Sequence, residues 1–323
     1  MKILIVGGTG MIGGHAALHL RSLGHEVAIA GRNPPPSSIP DLAQLEFVKG
    51  DFTAGDFGVD QLSKFDAIVF AAGSDIRHVP ENADADQHYL HVNGTLIPDF
   101  ACLAKSAGVR HFIHIGSFYY HVAPELVDSV PYVRSRKLAA DGVVAQAEQT
   151  GEYKLESLQE GLKSSPTFYA CSLDAPFVVG TVPGMKVPMF DAYVRYAKGE
   201  LPIPPSAPPG GTNFISAQSL SEAIAGALAN GPSVSGKAIL VGDENLTFAA
   251  YFGLFFKVVG KETQLPVLDQ DHPLLPRATL FTGTKTVSYE PVKEEWEVLG
   301  SYRRNDIHNA IVEIVQDLRR QQG

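Results

Sequence analysis

The chain has 323 residues, 45% of them apolar, with a formal net charge of −9. That length suits one large α/β domain or two modest ones, and the apolar share is enough to bury a substantial core. An acidic chain without a long Lys/Arg cluster excludes nucleic acid as the main partner, and no uninterrupted apolar run offers a membrane span.

Lys2 is followed by Ile3, Leu4, Ile5 and Val6, a β-branched apolar run that predicts a buried strand. Gly7, Gly8, Thr9, Gly10, Met11, Ile12 and Gly13 then spell G-x-x-G-x-x-G, and Ala16, Ala17, Leu18 and Leu20 continue at helical spacing. The run is broken by five glycines and followed by His15 and His19, so it reads as strand and turn rather than as a signal peptide. Strand, glycine turn and helix are the parts of a dinucleotide phosphate site. Gly7 permits the tight turn, Gly10 lets the backbone approach a pyrophosphate, and Gly13 lets the helix pack on the strand. Thr9, Met11 and Ile12 complete the turn, and the helix N-terminus offers free N–H groups to the phosphates.

His25–Ala30 predicts a second strand, closed by Gly31-Arg32-Asn33 and a loop of three prolines. Leu45–Val48 predicts a third, ending in Asp51 and Phe52, and Phe65–Ala72 a fourth. Tyr89–Ala107 reads as a helix, Phe112–Ile115 as a fifth strand closing in Gly116-Ser117, and Pro131–Gln149 as a helix. The polar stretch 150–165 reads as an inserted surface segment. A sixth strand, Phe168–Leu173, precedes Pro176-Phe177-Val178-Val179-Gly180. Beyond it come helices at Met189–Lys198 and Ser219–Ala229, and a strand at Lys237–Val241. A turn at Asp243–Leu246 then leads to helices at Thr247–Val259 and Asn305–Arg320. Strands alternating with helices predict a doubly wound parallel sheet. We place this domain at 1–175, with 212–230 returning to its core, and a smaller substrate-binding domain at 176–323.

The chemistry is expected at the carboxyl ends of the strands. The second strand ends in Ala30-Gly31-Arg32, with no acidic residue to take a ribose 2′-OH; a guanidinium there favours a 2′-phosphate, hence NADP over NAD. Asp51 is a candidate for the adenine amino group, with Phe52 beside the ring, although a plain turn aspartate explains it equally. Ala71-Ala72-Gly73 has the small side chains that let backbone pass close to a cofactor ribose. Asn93 either orients a catalytic network or binds backbone. Ser117 ends the fifth strand, and Tyr132 opens the next helix after Pro131, a favoured first-turn residue. A phenol has a free pKa of about 10, so general acid–base work by Tyr132 needs a cation one helical turn on. The 11 histidines show no H-E-x-x-H spacing and the two cysteines no C-x-x-C, so no metal is expected. Cys102 and Cys171 lie in apolar segments and read as buried thiols of a cytoplasmic protein.

These features resemble the extended short-chain dehydrogenase/reductase family, which also covers NAD-dependent epimerases and dehydratases. The resemblance rests on the glycine turn, Ser117 and Pro131-Tyr132-Val133-Arg134-Ser135. Pro176-Phe177-Val178-Val179-Gly180 and Asn213-Phe214-Ile215-Ser216-Ala217-Gln218-Ser219-Leu220 extend it to about residue 230. It implies a Rossmann core, a smaller C-terminal substrate domain and a Ser/Tyr/Lys mechanism, with Pro176 and Val179 near the cofactor. One departure stands out. The family pattern is Tyr-x-x-x-Lys, but Arg136 lies four residues after Tyr132 and Lys137 five. On a regular helix Arg136 is roughly 40° round from Tyr132 and Lys137 roughly 140°. Yet Lys137-Leu138-Ala139-Ala140-Asp141 resembles the family's continuation after its lysine. Either a bulge near Pro131 brings Lys137 to the ribose, or Arg136 supplies the charge, or activity is weakened.

Three functions compete. The first is an NADP-dependent oxidoreductase acting on a carbonyl or alcohol of a small molecule. The second is a nucleotide-sugar epimerase or dehydratase with tightly held NAD. The third is a cofactor-binding regulator without turnover. The family resemblance also implies a homodimer, paired through the helices after the fourth and fifth strands. Val133, Ala140, Val144 and Ala147 give the second of these an apolar stripe, which packing on the sheet explains equally well.

Overall fold

The computed structural model describes residues 1–147, 167–261, 263–277 and 280–322; the polar stretch 150–165 lies outside them. Strands are numbered in chain order, as are helices of seven or more residues. β1 (Lys2–Val6), β2 (Glu26–Gly31), β3 (Glu46–Lys49), β4 (Ala67–Phe70), β5 (His111–Ser117), β6 (Tyr169–Ala175) and β9 (Lys237–Leu240) form one sheet, all parallel. Their order is β3-β2-β1-β4-β5-β6-β9. The order reverses at β1, so the carboxyl ends of β1 and β4 flank the crevice where open α/β sheets take their ligands.

The two-residue period of β1 sends Ile3 and Ile5 to one face and Leu4 and Val6 to the other. α1 (Met11–Ser22) and α6 (Ala217–Ala229) cover the first face with Ala16, Leu20, Leu220 and Ile224. The second face is covered by α3 (Ile97–Ser106) and α4 (Pro131–Val144), through Phe100, Ala101, Ala139 and Val143. Both faces of a parallel sheet are thereby buried, as its continuous apolar strands require.

A second sheet joins β7 (Phe177–Val179), β8 (Gly211–Ser216) and β10 (Glu244–Thr247); β8 runs parallel to β7 and antiparallel to β10. With α5 (Pro188–Ala197), α7 (Phe248–Val258) and α8 (Ile307–Gln322) it encloses an aromatic core around Tyr193, Tyr196, Phe214, Phe252 and Phe255. Met11, at the start of α1, packs against this second core. The architecture is a Rossmann-type doubly wound sheet with a smaller C-terminal layer.

Three expectations are corrected. Asp243–Leu246 is no mere turn: Glu244–Thr247 is a strand paired antiparallel with β8, and the Asn213 amide donates to Asn245 Oδ1 (2.8 Å) across the pair. The helix predicted over Tyr89–Ala107 is divided into α2 (Ala85–His91), a π-helical turn Val92–Leu96, and α3. Cys102 is exposed, on the outer side of amphipathic α3; only Cys171 is buried, and burial pushes its thiol up to about 12. The apolar stripe on α4 is partly used inside the chain: Val133 and Ala140 are fully buried in a cluster with Tyr120.

The π turn has a structural purpose. The fully buried Asn93 accepts from Ser74 N–H (2.8 Å) and donates to Ser74 O (3.0 Å) and Ser135 Oγ (3.1 Å). Ser135 in turn donates to Tyr132 O (2.7 Å). One amide therefore clamps the loop after β4 to the start of α4. Asn93→Ala strands three buried polar groups and is expected to cost about 2 kcal/mol or more, measurable by urea unfolding.

His15 on α1 binds Ser221 Oγ on α6 (2.8 Å), and burial lowers its pKa to about 4. The unfolded chain therefore takes up this proton first as the pH falls. The stability that His15 contributes is whole above its unfolded pKa and is lost as the pH falls from about 6.5 toward 4, by about 3 kcal/mol. A His15→Asn variant is expected to show a shallower loss of stability over that window in pH-dependent denaturation.

Candidate active site

The glycine turn is shaped by contacts that leave no room for side chains. Gly7 has φ +81°, and a Cβ there would lie 2.9 Å from the Ala71 carbonyl. A Cβ on Gly13 would lie 2.4 Å from Gly7 O, so α1 starts hard against the turn. A Cβ on Gly10 would meet only Gly7 O at 3.4 Å, an ordinary contact, so its openness faces outward. Gly10 is also the N-cap of α1 and offers no side-chain cap, which leaves first-turn N–H groups available to an anion.

Around this turn lie the other residues singled out from sequence. Arg32 follows β2, exposed and with no ion-pair partner among the described residues. Asp51 follows β3 and caps a short turn: its Oδ1 accepts from Thr53 N–H (2.9 Å) and the Thr53 hydroxyl (2.7 Å). Phe52 packs edge-on against Phe70 at 5.1 Å. Ala71 continues β4 by donating to Val6 O (2.9 Å). Pro176 joins β6 to β7, and Val179 is fully buried in the second core.

Ser117 is the last residue of β5, and Tyr132 the second of α4, which packs back on β5 and β6. The helix is regular from Pro131 onward, with no bulge. Arg136 is accordingly carried inward: it is 8% exposed, its Nη2 donates to Ile115 O (2.7 Å), and its Nη1 lies 2.6 Å from where a Cβ on Gly73 would sit. Its Nε–H is buried without an acceptor among the described residues. Lys137 turns outward, pairs with Asp141 (2.5 Å) and lies over the Tyr120 ring.

Aromatic rings wall the tyrosine. Phe281, from the segment before β-bridge residue Thr286, stacks on Tyr132 at 5.1 Å and 20°, and meets Tyr119 edge-on at 5.1 Å. Tyr89 meets Tyr132 edge-on at 5.4 Å, and Phe118 lies 4.3 Å from Tyr119. Burial pushes the Tyr119 phenol above its ordinary range. On α5, Tyr193 is a core residue donating to Leu274 O (3.1 Å), and Arg195 pairs with Glu200.

A buried polar chain beside the site was not foreseen. Asp174 on β6 is fully buried and accepts from Ser172 (2.7 Å), His121 (2.7 Å) and Tyr120. Ser172 gives its proton to Asp174, so it accepts from Nδ1–H of His114 (3.0 Å), fixing that tautomer. Burial, and then the Arg136 charge, holds the His114 pKa well below its usual value. The sequence does carry a signal: His114, Ser172 and Asp174 interrupt runs that otherwise read as buried strands. Among the described residues no group of His, Cys, Asp or Glu side chains is arranged to hold a metal ion, and no helix is long and apolar enough to cross a membrane.

Residues 3–155 match the model of the NAD dependent epimerase/dehydratase family. A UDP-glucose 4-epimerase from Klebsiella pneumoniae is 28% identical over 145 residues, 42% of this chain and 100% of that sequence. Among solved structures, gox2253 superposes with a TM-score of 0.73 at 18% identity, covering 99% of this chain and 98% of that one. A UDP-glucose-4-epimerase from Stenotrophomonas maltophila, solved with NAD and formylated UDP-arabinopyranose, gives 0.70 at 18% identity, covering 100% and 99%. Likeness at that identity speaks for the fold alone. The family match is different in kind, because it spans the glycine turn, Ser117 and the Tyr132 helix, and over that N-terminal part the chain is similar to the NAD dependent epimerase/dehydratase family.

Proposed function

We propose that this protein is an NAD(P)-dependent oxidoreductase, preferring NADP, that acts on a carbonyl or alcohol of a small molecule. The residues present fit such a cofactor. The cradle at Gly7 and Gly13 is one that added Cβ atoms would fill, and the buried Arg136 keeps an N–H without an acceptor among the described residues. Gly7, Thr9, Gly10, Met11, Ile12 and Gly13 would hold the pyrophosphate, Arg32, Asp51 and Phe52 the adenosine, and Ala71, Ala72, Gly73, Pro176 and Val179 the nicotinamide side. When bound, the nicotinamide gives or takes a hydride.

The observation that carries the reading is the inward placement of Arg136, one helical turn after Tyr132. Tyr132 donates its phenolic proton to the substrate oxygen in reduction and takes it back in oxidation. The Ser117 hydroxyl, which has no partner among the described residues, holds that oxygen. Arg136 adds a fixed positive charge that favours the phenolate. A guanidinium does not release its own proton, so Arg136 acts as an electrostatic partner and not as a relay. Asn93 positions the assembly through Ser135 and the Tyr132 carbonyl. Arg32, with no acidic residue at Ala30 or Gly31, supports NADP.

The names of the relatives favour a second reading, a nucleotide-sugar epimerase with retained NAD. A diphosphate would need cations on the substrate side. There Arg195, Arg277 and Arg304 are already paired with Glu200, Asp269 and the Asp243/Glu290 pair. Purified protein with exchangeable NADPH supports the reductase, whereas copurified NAD with interconversion of UDP-sugar epimers supports the epimerase.

Tyr132→Phe is expected to lower NADPH-dependent turnover of a carbonyl panel by about 100-fold or more while leaving cofactor binding unchanged by fluorescence titration. Unchanged turnover would leave a cofactor-binding protein without this chemistry. Arg136→Met is expected to lower turnover by at least about tenfold, since it removes a buried charge beside the developing phenolate. Lys137→Met, which breaks only an exposed pair, should leave turnover within about twofold. The reverse pattern in steady-state kinetics would return the role to Lys137.

A further inference from the structure

The aromatic wall beside Tyr132 is drawn from two parts of the chain. Tyr89 and Tyr119 belong to the elements around the large sheet, whereas Phe281 comes from a strap, residues 280–289, that lies beyond β10. The strap is held by backbone bonds. Gly283 N–H closes a turn on Leu280 O (2.8 Å), and Lys285 N–H bonds Thr282 O (3.3 Å). It then runs along the start of β8: Val287 N–H donates to Gly211 O (3.0 Å), and Gly211 N–H to Lys285 O (3.4 Å). Gly210 has φ +96°, and a Cβ there would lie 2.9 Å from the carbonyl oxygens of Thr284 and Lys285. Tyr289 fixes the far end, its N–H donating to Asn245 Oδ1 (3.1 Å) and its hydroxyl to Val241 O (2.7 Å). The place of Phe281 is therefore set by β8 and β10.

The ring of Phe281 lies nearly parallel to that of Tyr132, at 5.1 Å and 20°, in an apolar cluster that includes Tyr119, Val127 and Val130. A tyrosine ring turns in a broad χ2 well, so its rotamer does not fix the ring plane. The phenolic O–H prefers that plane, because the oxygen lone pair conjugates with the ring. The plane thus decides the direction in which the proton leaves, and proton transfer requires that direction to meet the substrate oxygen. A ring stacked on the Tyr132 face holds the plane. Tyr89 on α2 sets a second limit, at 5.4 Å and 82°.

We infer that Phe281 is a positioning residue for proton transfer by Tyr132, through which the second sheet holds the tyrosine in its donating orientation. The inference rests on the oxidoreductase reading above. Phe281 has no group that moves a proton, so it acts through Tyr132. Completion of the site then depends on the strap being docked on Gly210 and Gly211, as well as on the α4 residues around Tyr132.

The test is steady-state reduction of the carbonyl panel with NADPH by the intact protein, Phe281→Ala, Phe281→Tyr, Gly210→Ala and the Phe281→Ala/Gly210→Ala pair, with Tyr132→Phe alongside and melting curves to confirm folding. Phe281→Ala should lower kcat by about tenfold or more and leave KM and NADPH affinity within about twofold, since a misdirected donor slows the chemical step without weakening binding. Phe281→Tyr, which keeps the ring, should recover most of that loss. If Phe281→Ala does not fold, Phe281→Leu keeps the apolar bulk without the flat face and should show the same loss in kcat. Gly210→Ala should lower kcat by about threefold or more, yet by less than about twofold on top of Phe281→Ala, because both act through one contact. A kcat within about twofold of wild type in Phe281→Ala, while Tyr132→Phe loses about 100-fold, would overturn the positioning role and leave the oxidoreductase reading standing. A raised KM with kcat unchanged would make Phe281 a substrate contact and overturn the role as well. Full additivity of Gly210→Ala would overturn the part given to the second sheet. Unchanged turnover in Tyr132→Phe would overturn the oxidoreductase reading and the inference together.

Discussion

At the carboxyl edge of the large sheet, three glycines stand where no side chain fits. Gly7 abuts the Ala71 carbonyl, Gly73 abuts the Arg136 guanidinium, and a Cβ on Gly116 would lie 1.7 Å from the Asp174 carboxylate. Each removes a side chain from the end of a strand or from the loop that follows it, and each gap is filled by something polar. The result is an edge where backbone, a cation and an anion approach more closely than ordinary β structure permits. The crevice at the topological switch point is therefore set by the absence of three methyl groups as much as by any residue that is present.

The charges at this edge are arranged with care for solvation. A buried guanidinium is tolerable only when its N–H groups are met, and Arg136 has Ile115 O and close packing at Gly73, with Nε–H left over. Asp174 is satisfied more fully, by three side-chain donors. Both charges act on Tyr120: burial raises its pKa first, Asp174 raises it further, and Arg136 opposes. Tyr120 is thus held protonated as a donor to Asp174. That separates it from Tyr132, which lies in the aromatic wall with Phe281 and Tyr89.

The second sheet does more than enclose its own core. It supplies the aromatic core against which Met11 of the glycine turn packs, and α8 returns from it to the loops beside Thr9. Asp243 fixes that return: its carboxylate accepts Asn305 N–H (2.5 Å) and Asp306 N–H (2.9 Å) at the start of α8. Asn305 is held there with φ +60°, a conformation asparagine tolerates better than most residues. The N-terminal glycine turn and the C-terminal helix are in this way parts of one surface.

The sequence by itself determined the parallel sheet and its glycine turn, because both are local. A two-residue period with apolar content on both faces, and glycines at fixed spacing between strand and helix, need no knowledge of distant partners. Helical geometry also placed Arg136 inward and Lys137 outward, since a residue's direction on a regular helix follows from counting. Tertiary structure decided the rest. Whether α4 was regular at Pro131 depended on its packing. The four residues of β10 became a strand by pairing with β8, where Asn213 also meets Asn245. The π turn formed where Asn93 could reach Ser74, and Asp174 could be buried only with His121 and Tyr120 from another element beside it. Each of these joins residues far apart in the chain, and the energy that selects them, satisfaction of buried polar groups, exists only after the elements have met.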